Sequence, residues 1–114
     1  MKPTVNYSET FELLDIRVGT IVEAEVFTKA RNPSYKVLID FGAEIGTKRS
    51  SAQITTHYNP DDLNGRKIVA IVNFPPRNIA GFMSEVLILG IYDQDGNVVL
   101  LNPDKELPDG SIIG

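Results

Sequence analysis

From residue 15 onward, apolar and polar side chains alternate with the two-residue period of pleated strands. Over Asp15 to Thr28, Ile16, Val18, Thr20, Val22, Ala24 and Val26 share one face, opposed by Arg17, Gly19, Ile21, Glu23, Glu25 and Phe27. This predicts one long strand, with Gly19 as the natural place for a bulge or sharp bend. A second strand sets Tyr35, Val37, Ile39 and Phe41 against Lys36, Leu38 and Asp40. Gly42 to Gly46 then connects to a polar third strand, Thr47 to Ile54, in which Lys48, Ser50, Ala52 and Ile54 oppose Thr47, Arg49, Ser51 and Gln53. Thr55 to Asn64 is too polar for a strand, and Asn59-Pro60-Asp61-Asp62 predicts a short helix or turn ending at Asn64-Gly65.

Alternation resumes over Arg66 to Phe74 as a fourth strand. Glu85 to Tyr92 reads as a strongly apolar fifth, and Asp93 to Asn97 as a hairpin turn before Val98 to Leu101. Between the fourth and fifth lies Asn73 to Ser84, where Pro75 and Pro76 stop the ladder, Gly81 lets the chain turn back, and Arg77 is held stiffly beside the sheet. The segment is expected to be a working loop. A single helical turn is expected over Ser8 to Leu14, while Leu107, Ile112 and Ile113 supply a last edge strand or part of an interface. Five strands with a short helix between the third and fourth, and no βαβ rhythm, predict an all-β closed barrel.

The 114 residues, 42% of them apolar, suit one domain over 1–114 with terminal extensions to the barrel. No run approaches the roughly 18 apolar residues that span a bilayer, and the first residues lack a signal peptide's apolar core, so a cytoplasmic protein without membrane insertion is expected. The absence of cysteine removes thiolate nucleophiles, iron–sulfur clusters and cysteine-based zinc sites.

A net charge of −4 argues against a general polyanion binder. The distribution is uneven, however: Lys29 to Arg77 holds eight basic residues against four acidic, and the remainder three against eleven. A basic middle in an acidic chain suits a local surface for an anionic ligand, although a solvated face of mixed charge is the commoner reason for such a split.

His57 is the single histidine, so a hydrolytic triad or a histidine-bound metal would have to pass through it. No motif supplies an oriented base and an oxyanion site, so a surface or capping role is favoured, with no catalytic residue, metal or cofactor expected. Gly42 to Lys48 lacks P-loop spacing, and Asp93-Gln94-Asp95-Gly96 lacks the later glutamate of a calcium loop. What remains is a polar and basic set: Lys48, Arg49, Ser50, Ser51 and Gln53 on the third strand, with Asn73, Arg77 and Ser84 around the central loop. Guanidinium forks fit phosphate oxygens, while hydroxyls and amides fit sugars and base edges. Tyr35, Phe41, Tyr58, Phe74 and Phe82 are better placed in a core than on a stacking surface.

The segments FELLDIRVGTIVEAEVFT (Phe11 to Thr28), YKVLIDFGAEIG (Tyr35 to Gly46), SSAQIT (Ser50 to Thr55) and VAIVNFPPRNIAGFMS (Val69 to Ser84) resemble the CsaA export-associated chaperones. These fall within the wider family of tRNA-binding OB-fold domains. The resemblance extends from Phe11 to Gly114. It implies a five-stranded Greek-key OB barrel, a homodimer joined through terminal elements, and no catalysis. By match to the family motif, Asn73, Pro76, Gly81 and Ser84 join the nucleic-acid set, with Ser50, Ser51 and Gln53 from the third strand. The chain departs from the motif at Leu87, where many members have methionine, and carries the acidic Glu85 after Ser84.

Phe11, Leu14, Leu107, Ile112 and Ile113 are the expected dimer contacts, because a small barrel cannot easily bury them alone. The expected partners are tRNA, unfolded or pre-secretory polypeptides, or both. A tRNA-binding module assisting an aminoacyl-tRNA synthetase is the alternative, and a hydrolase built on His57 the remote third reading.

Overall fold

Strand β1 (Ile16–Val26) organises the barrel, described here from a computed structural model of residues 1–114. Its first part pairs antiparallel with β4 (Lys67–Ile71), and its second part with β2 (Tyr35–Asp40). Only a long, coiled strand can serve two neighbours in this way. The register slips between Ile21 and Glu23, so Val22 is the bulged residue. Before the slip the core face of β1 is the one that carries Gly19 and Ile21, opposite to the apolar face expected from the sequence. Ile16 and Val18, on the expected face, are buried outside that core cluster, and Val22 and Val26 are exposed. Gly19 is needed for close approach instead: a Cβ at that position would lie 2.7 Å from Ile39 and 2.8 Å from the Phe41 ring.

β3 (Thr47–Ala52) pairs with β2, and a short β7 (Leu87–Ile88) pairs with β4, giving a five-stranded sheet in the order β3-β2-β1-β4-β7. The two edges meet at a seam made largely by side chains. Ser50 donates its hydroxyl to the Val86 carbonyl (3.0 Å), and the Ser51 N–H donates to Ser84 Oγ (2.9 Å). At the next position the Glu85 N–H donates to the Arg49 carbonyl (2.8 Å), while the Arg49 N–H donates to the Glu85 carboxylate (3.0 Å). Replacing Ser50 by alanine is expected to leave a buried carbonyl without its donor and to lower stability by roughly 1–3 kcal/mol, readable as a fall in melting temperature.

The core inside the seam contains Ile21, Tyr35, Val37, Ile39, Phe41, Ile54, Leu63, Ile68, Ala70, Val86 and Leu100. The predicted short helix is α1 (Pro60–Leu63), which begins on a proline, as helices tolerate, and buries Leu63 completely. β4 stops at Ile71, short of the expected Phe74. Phe74 is 44% exposed, so its expected core placement is also corrected. The apolar run after Ser84 is not one strand. Leu89 donates to Val69 and accepts from Leu101, which hands the chain from the barrel to a separate hairpin of β8 (Gly90–Tyr92) and β9 (Val98–Leu100).

The N-terminal segment forms two 3-10 turns, Tyr7–Glu9 and Phe11–Leu13, in place of a single helical turn. The C-terminal segment adds to β1, with the Val18 and Ile113 N–H groups donating to Ser111 and Ile16, and Ile112 bridging Arg17. Asp109 ties this segment down, accepting from Thr20 Oγ1 (2.6 Å) and Lys67 Nζ (2.8 Å). Burial raises its pKa, but the Lys67 and Thr20 hydrogen bonds outweigh burial and leave the value below the usual one. A lowered folded-state pKa stabilises above the unfolded value and loses that contribution as pH falls through the folded one. Asp109→Asn should therefore melt below wild type at pH ~7, with the gap closing at pH values below about 4.

Candidate nucleic-acid interface

The expected working loop is a paired hairpin. After Pro75 and Pro76, β5 (Arg77–Ile79) runs antiparallel to β6 (Phe82–Ser84), with Arg77 opposite Ser84. Ala80 (φ 48°) and Gly81 (φ 84°) make the two-residue turn, and two successive positive φ values are the hairpin geometry that matches strand twist. The Asn78 side chain accepts from the Gly81 N–H at 2.9 Å and fixes the turn. Gly81 does reverse the chain, as expected.

This hairpin separates two clefts. The larger, about 700 Å³, brings together three residues of the predicted set: Ser51, Gln53 and Arg77. Gln53 and Arg77 are exposed. The same cleft is lined by Arg31 and Asn32 from the β1–β2 loop, Tyr92 on β8 and Asn97 in the β8–β9 turn. None of its 20 lining residues is aspartate or glutamate, in a chain that has 15 of them. Neither Arg31 nor Arg77 is held in an ion pair. The smaller cleft, about 450 Å³, holds Arg49 and Gly81 from the predicted set, together with Lys29 and Lys36. There the Lys36 ammonium lies 4.9 Å from the Phe27 ring centre and 5.2 Å from that of Phe82, while the two rings meet edge to face.

The remaining predicted residues sit elsewhere. Ser50 (1% exposed) and Ser84 (9%) are buried in the seam with their hydroxyls engaged. Both ends of the Asn73 amide are engaged too: Oδ1 accepts from the Asp15 N–H and Nδ2 donates to the Leu13 carbonyl, each at 2.9 Å, which docks the N-terminal turns. Lys48 and Pro76 line neither cleft. Among the expected dimer residues, Leu107 (43%) and Ile112 (72%) are exposed, and Phe11, Leu14 and Ile113 are half-buried.

His57 Nε2 lies 2.7 Å from Asp93 Oδ2, and the Asp93 carboxylate also accepts from the Asp95 and Asn97 N–H groups. The His57 hydrogen bond, then those of the Asn97 and Asp95 backbone, hold Asp93 below the ordinary carboxylate range. With Thr56 donating to Asn97 Oδ1 (3.0 Å), this braces the β8–β9 turn at the cleft margin. His57 itself is exposed, and its ring reaches the turn through the Asp93 carboxylate and not through a backbone group.

Arg31, Asn32, Tyr92 and Asn97 lie outside the set expected from the sequence. For Arg31 and Asn32 the basic loop at Lys29 to Ser34 was the available signal, because the loop after the first strand is one of the ligand-binding connections of such barrels.

A model of the putative tRNA-binding domain matches residues 16–112. The methionine–tRNA ligase of Methanocaldococcus jannaschii is 39% identical over 100 residues, which cover 88% of this chain but 15% of the ligase. The chain thus spans less than a sixth of that relative. The chaperone CsaA structure from Bacillus anthracis superposes with a TM-score of 0.92 at 54% identity, covering 98% of this chain and 100% of that one. CsaA from Picrophilus torridus gives 0.89 at 50%, covering 97% and 100%. The β1 wrap, the seam and the hairpin are therefore those of an OB barrel, and the chain belongs to the tRNA-binding OB-fold domain family, on its CsaA-type branch.

Proposed function

We propose that this protein is a non-enzymatic cytoplasmic binder that acts as a homodimer, holds tRNA in the larger cleft, and takes up non-native polypeptides during protein export. One observation carries the RNA reading: a cleft with two unpaired arginines and no carboxylate, within an acidic chain. Sequence-wide repulsion of phosphate is reversed locally there, and amide side chains stand beside the cations to meet sugars and bases. Support for the polypeptide role is the resemblance to CsaA and the exposed Ile91 (56%) and Val99 (39%) on the β8–β9 hairpin. Exposed Leu107 and Ile112 support the dimer, as apolar area that a partner copy would cover. The ligase relatives favour a second reading, a tRNA-binding module that serves a synthetase without a chaperone role.

Titration with tRNA and with an unfolded polypeptide, each at two salt concentrations, tests these readings. RNA binding should weaken steeply with salt and polypeptide binding should not. Polypeptide binding absent at both salts would leave the synthetase-module reading, and RNA binding absent at both would overturn the tRNA claim. Sedimentation equilibrium should give twice the 12.6 kDa chain mass; a monomer at micromolar concentration would remove the dimer.

A further inference from the structure

We infer that Tyr92 is a stacking platform for an unpaired base, so that the acid-free cleft selects single-stranded segments of RNA over duplex. This rests on the RNA-binding reading proposed above. Tyr92 is the only aromatic residue lining the cleft, and it is 77% exposed. The other tyrosines have neighbours: the Tyr35 hydroxyl donates to the Tyr58 carbonyl, the Tyr58 hydroxyl accepts from the Leu100 N–H, and Tyr7 lies against the Phe11 ring. Tyr92 has no aromatic, cationic or hydrogen-bonding partner of this kind, so its ring is not held by the fold.

Its backbone, by contrast, is fixed. Tyr92 pairs with Val98, and the next residue, Asp93, is held by His57 and by two N–H groups of its own turn. A flat ring on a braced backbone loses little freedom when a base stacks on it. Within the same cleft, Gln53 offers a whole amide. Asn97 accepts from Thr56 through Oδ1 and retains its amino group as a donor. A face for the ring, donors and acceptors for an edge, and guanidinium groups for phosphate together match a splayed nucleotide. Duplex RNA keeps its base faces stacked and offers a platform nothing to cover.

The test uses the 114-residue wild type, Tyr92→Phe and Tyr92→Leu with three RNA probes, a tRNA, an oligouridylate and a blunt duplex, and with an unfolded polypeptide as a control ligand. Phenylalanine keeps the ring, while leucine keeps apolar area without a flat face. Tyr92→Phe should bind tRNA and oligouridylate within about twofold of wild type. Tyr92→Leu should bind them roughly 5- to 150-fold more weakly, the loss typical of one stacked base. Its salt slope and melting temperature should not change. Duplex should compete poorly with oligouridylate in wild type and Tyr92→Phe, and that preference should shrink in Tyr92→Leu by about the factor lost for oligouridylate. Equal affinity of Tyr92→Leu, or equal competition by duplex in wild type, overturns the inference and leaves RNA binding standing. If Tyr92→Leu loses an unfolded polypeptide but not RNA, the ring belongs to the polypeptide surface and the inference is wrong. Failure of wild type to bind any of the three probes overturns the RNA reading and this inference together.

Discussion

Exchanging Arg31 and Arg77 together for glutamine is expected to weaken tRNA binding about 100-fold at low salt, since each charged hydrogen bond contributes roughly 1.5 kcal/mol or more. Both residues are exposed and line one cleft, and neither is committed to a carboxylate. Their removal should therefore leave the melting temperature nearly unchanged. Each lost phosphate contact lowers the magnitude of the salt slope by about 0.7 on a single-stranded ligand, so the pair should lower it by about 1.4. The salt slope separates this account from a general loss of fold. A variant that binds weakly at an unchanged slope has lost something other than phosphate contacts.

Gly19→Ala is expected to lower stability substantially. The added methyl would stand 2.7–2.8 Å from Ile39 and Phe41, which are 0% and 1% exposed and have no room to retreat. Overpacking of this kind costs roughly 1–3 kcal/mol. Thermal unfolding should shift down by about 4 °C or more. A melting temperature equal to wild type would mean that β1 and β2 separate freely at this crossing.

The barrel could be read from the sequence because its strands are pinned by period-two runs such as Tyr35 to Phe41, where every second residue is buried. The bulge at Val22 could not, since a register slip leaves no mark on composition. Local alternation continues through it while the inward face changes sides. The β5–β6 hairpin was hidden because its strands have three residues each, too few to establish a period, and its turn uses Ala80 where asparagine or glycine would have announced it.

The site was half legible for a related reason. Ser50, Ser51 and Ser84 were expected to meet nucleic acid, but the Ser50 and Ser84 hydroxyls and the Ser51 N–H bond across the barrel seam, and a sequence does not say which edges meet. Asn73 is similar, its amide engaged by the N-terminal turns. Arg77, Gln53 and the surface of Ser51 remain at the cleft. Arg31 and Asn97 join them through connections 22 and 44 residues from Gln53 in the chain, a proximity that only the closed topology creates.

The central claim is that RNA occupies the acid-free cleft, and chemical-shift mapping of 15N-labelled protein during titration with tRNA tests it most directly. The account predicts perturbations concentrated on the Arg31, Gln53, Arg77 and Asn97 side chains and on the backbone of Tyr92, with the Asn73 amide and the seam at Ser50 silent. Perturbations that spare the cleft and cluster instead at the terminal segments around Leu13 and Ile112 would contradict it.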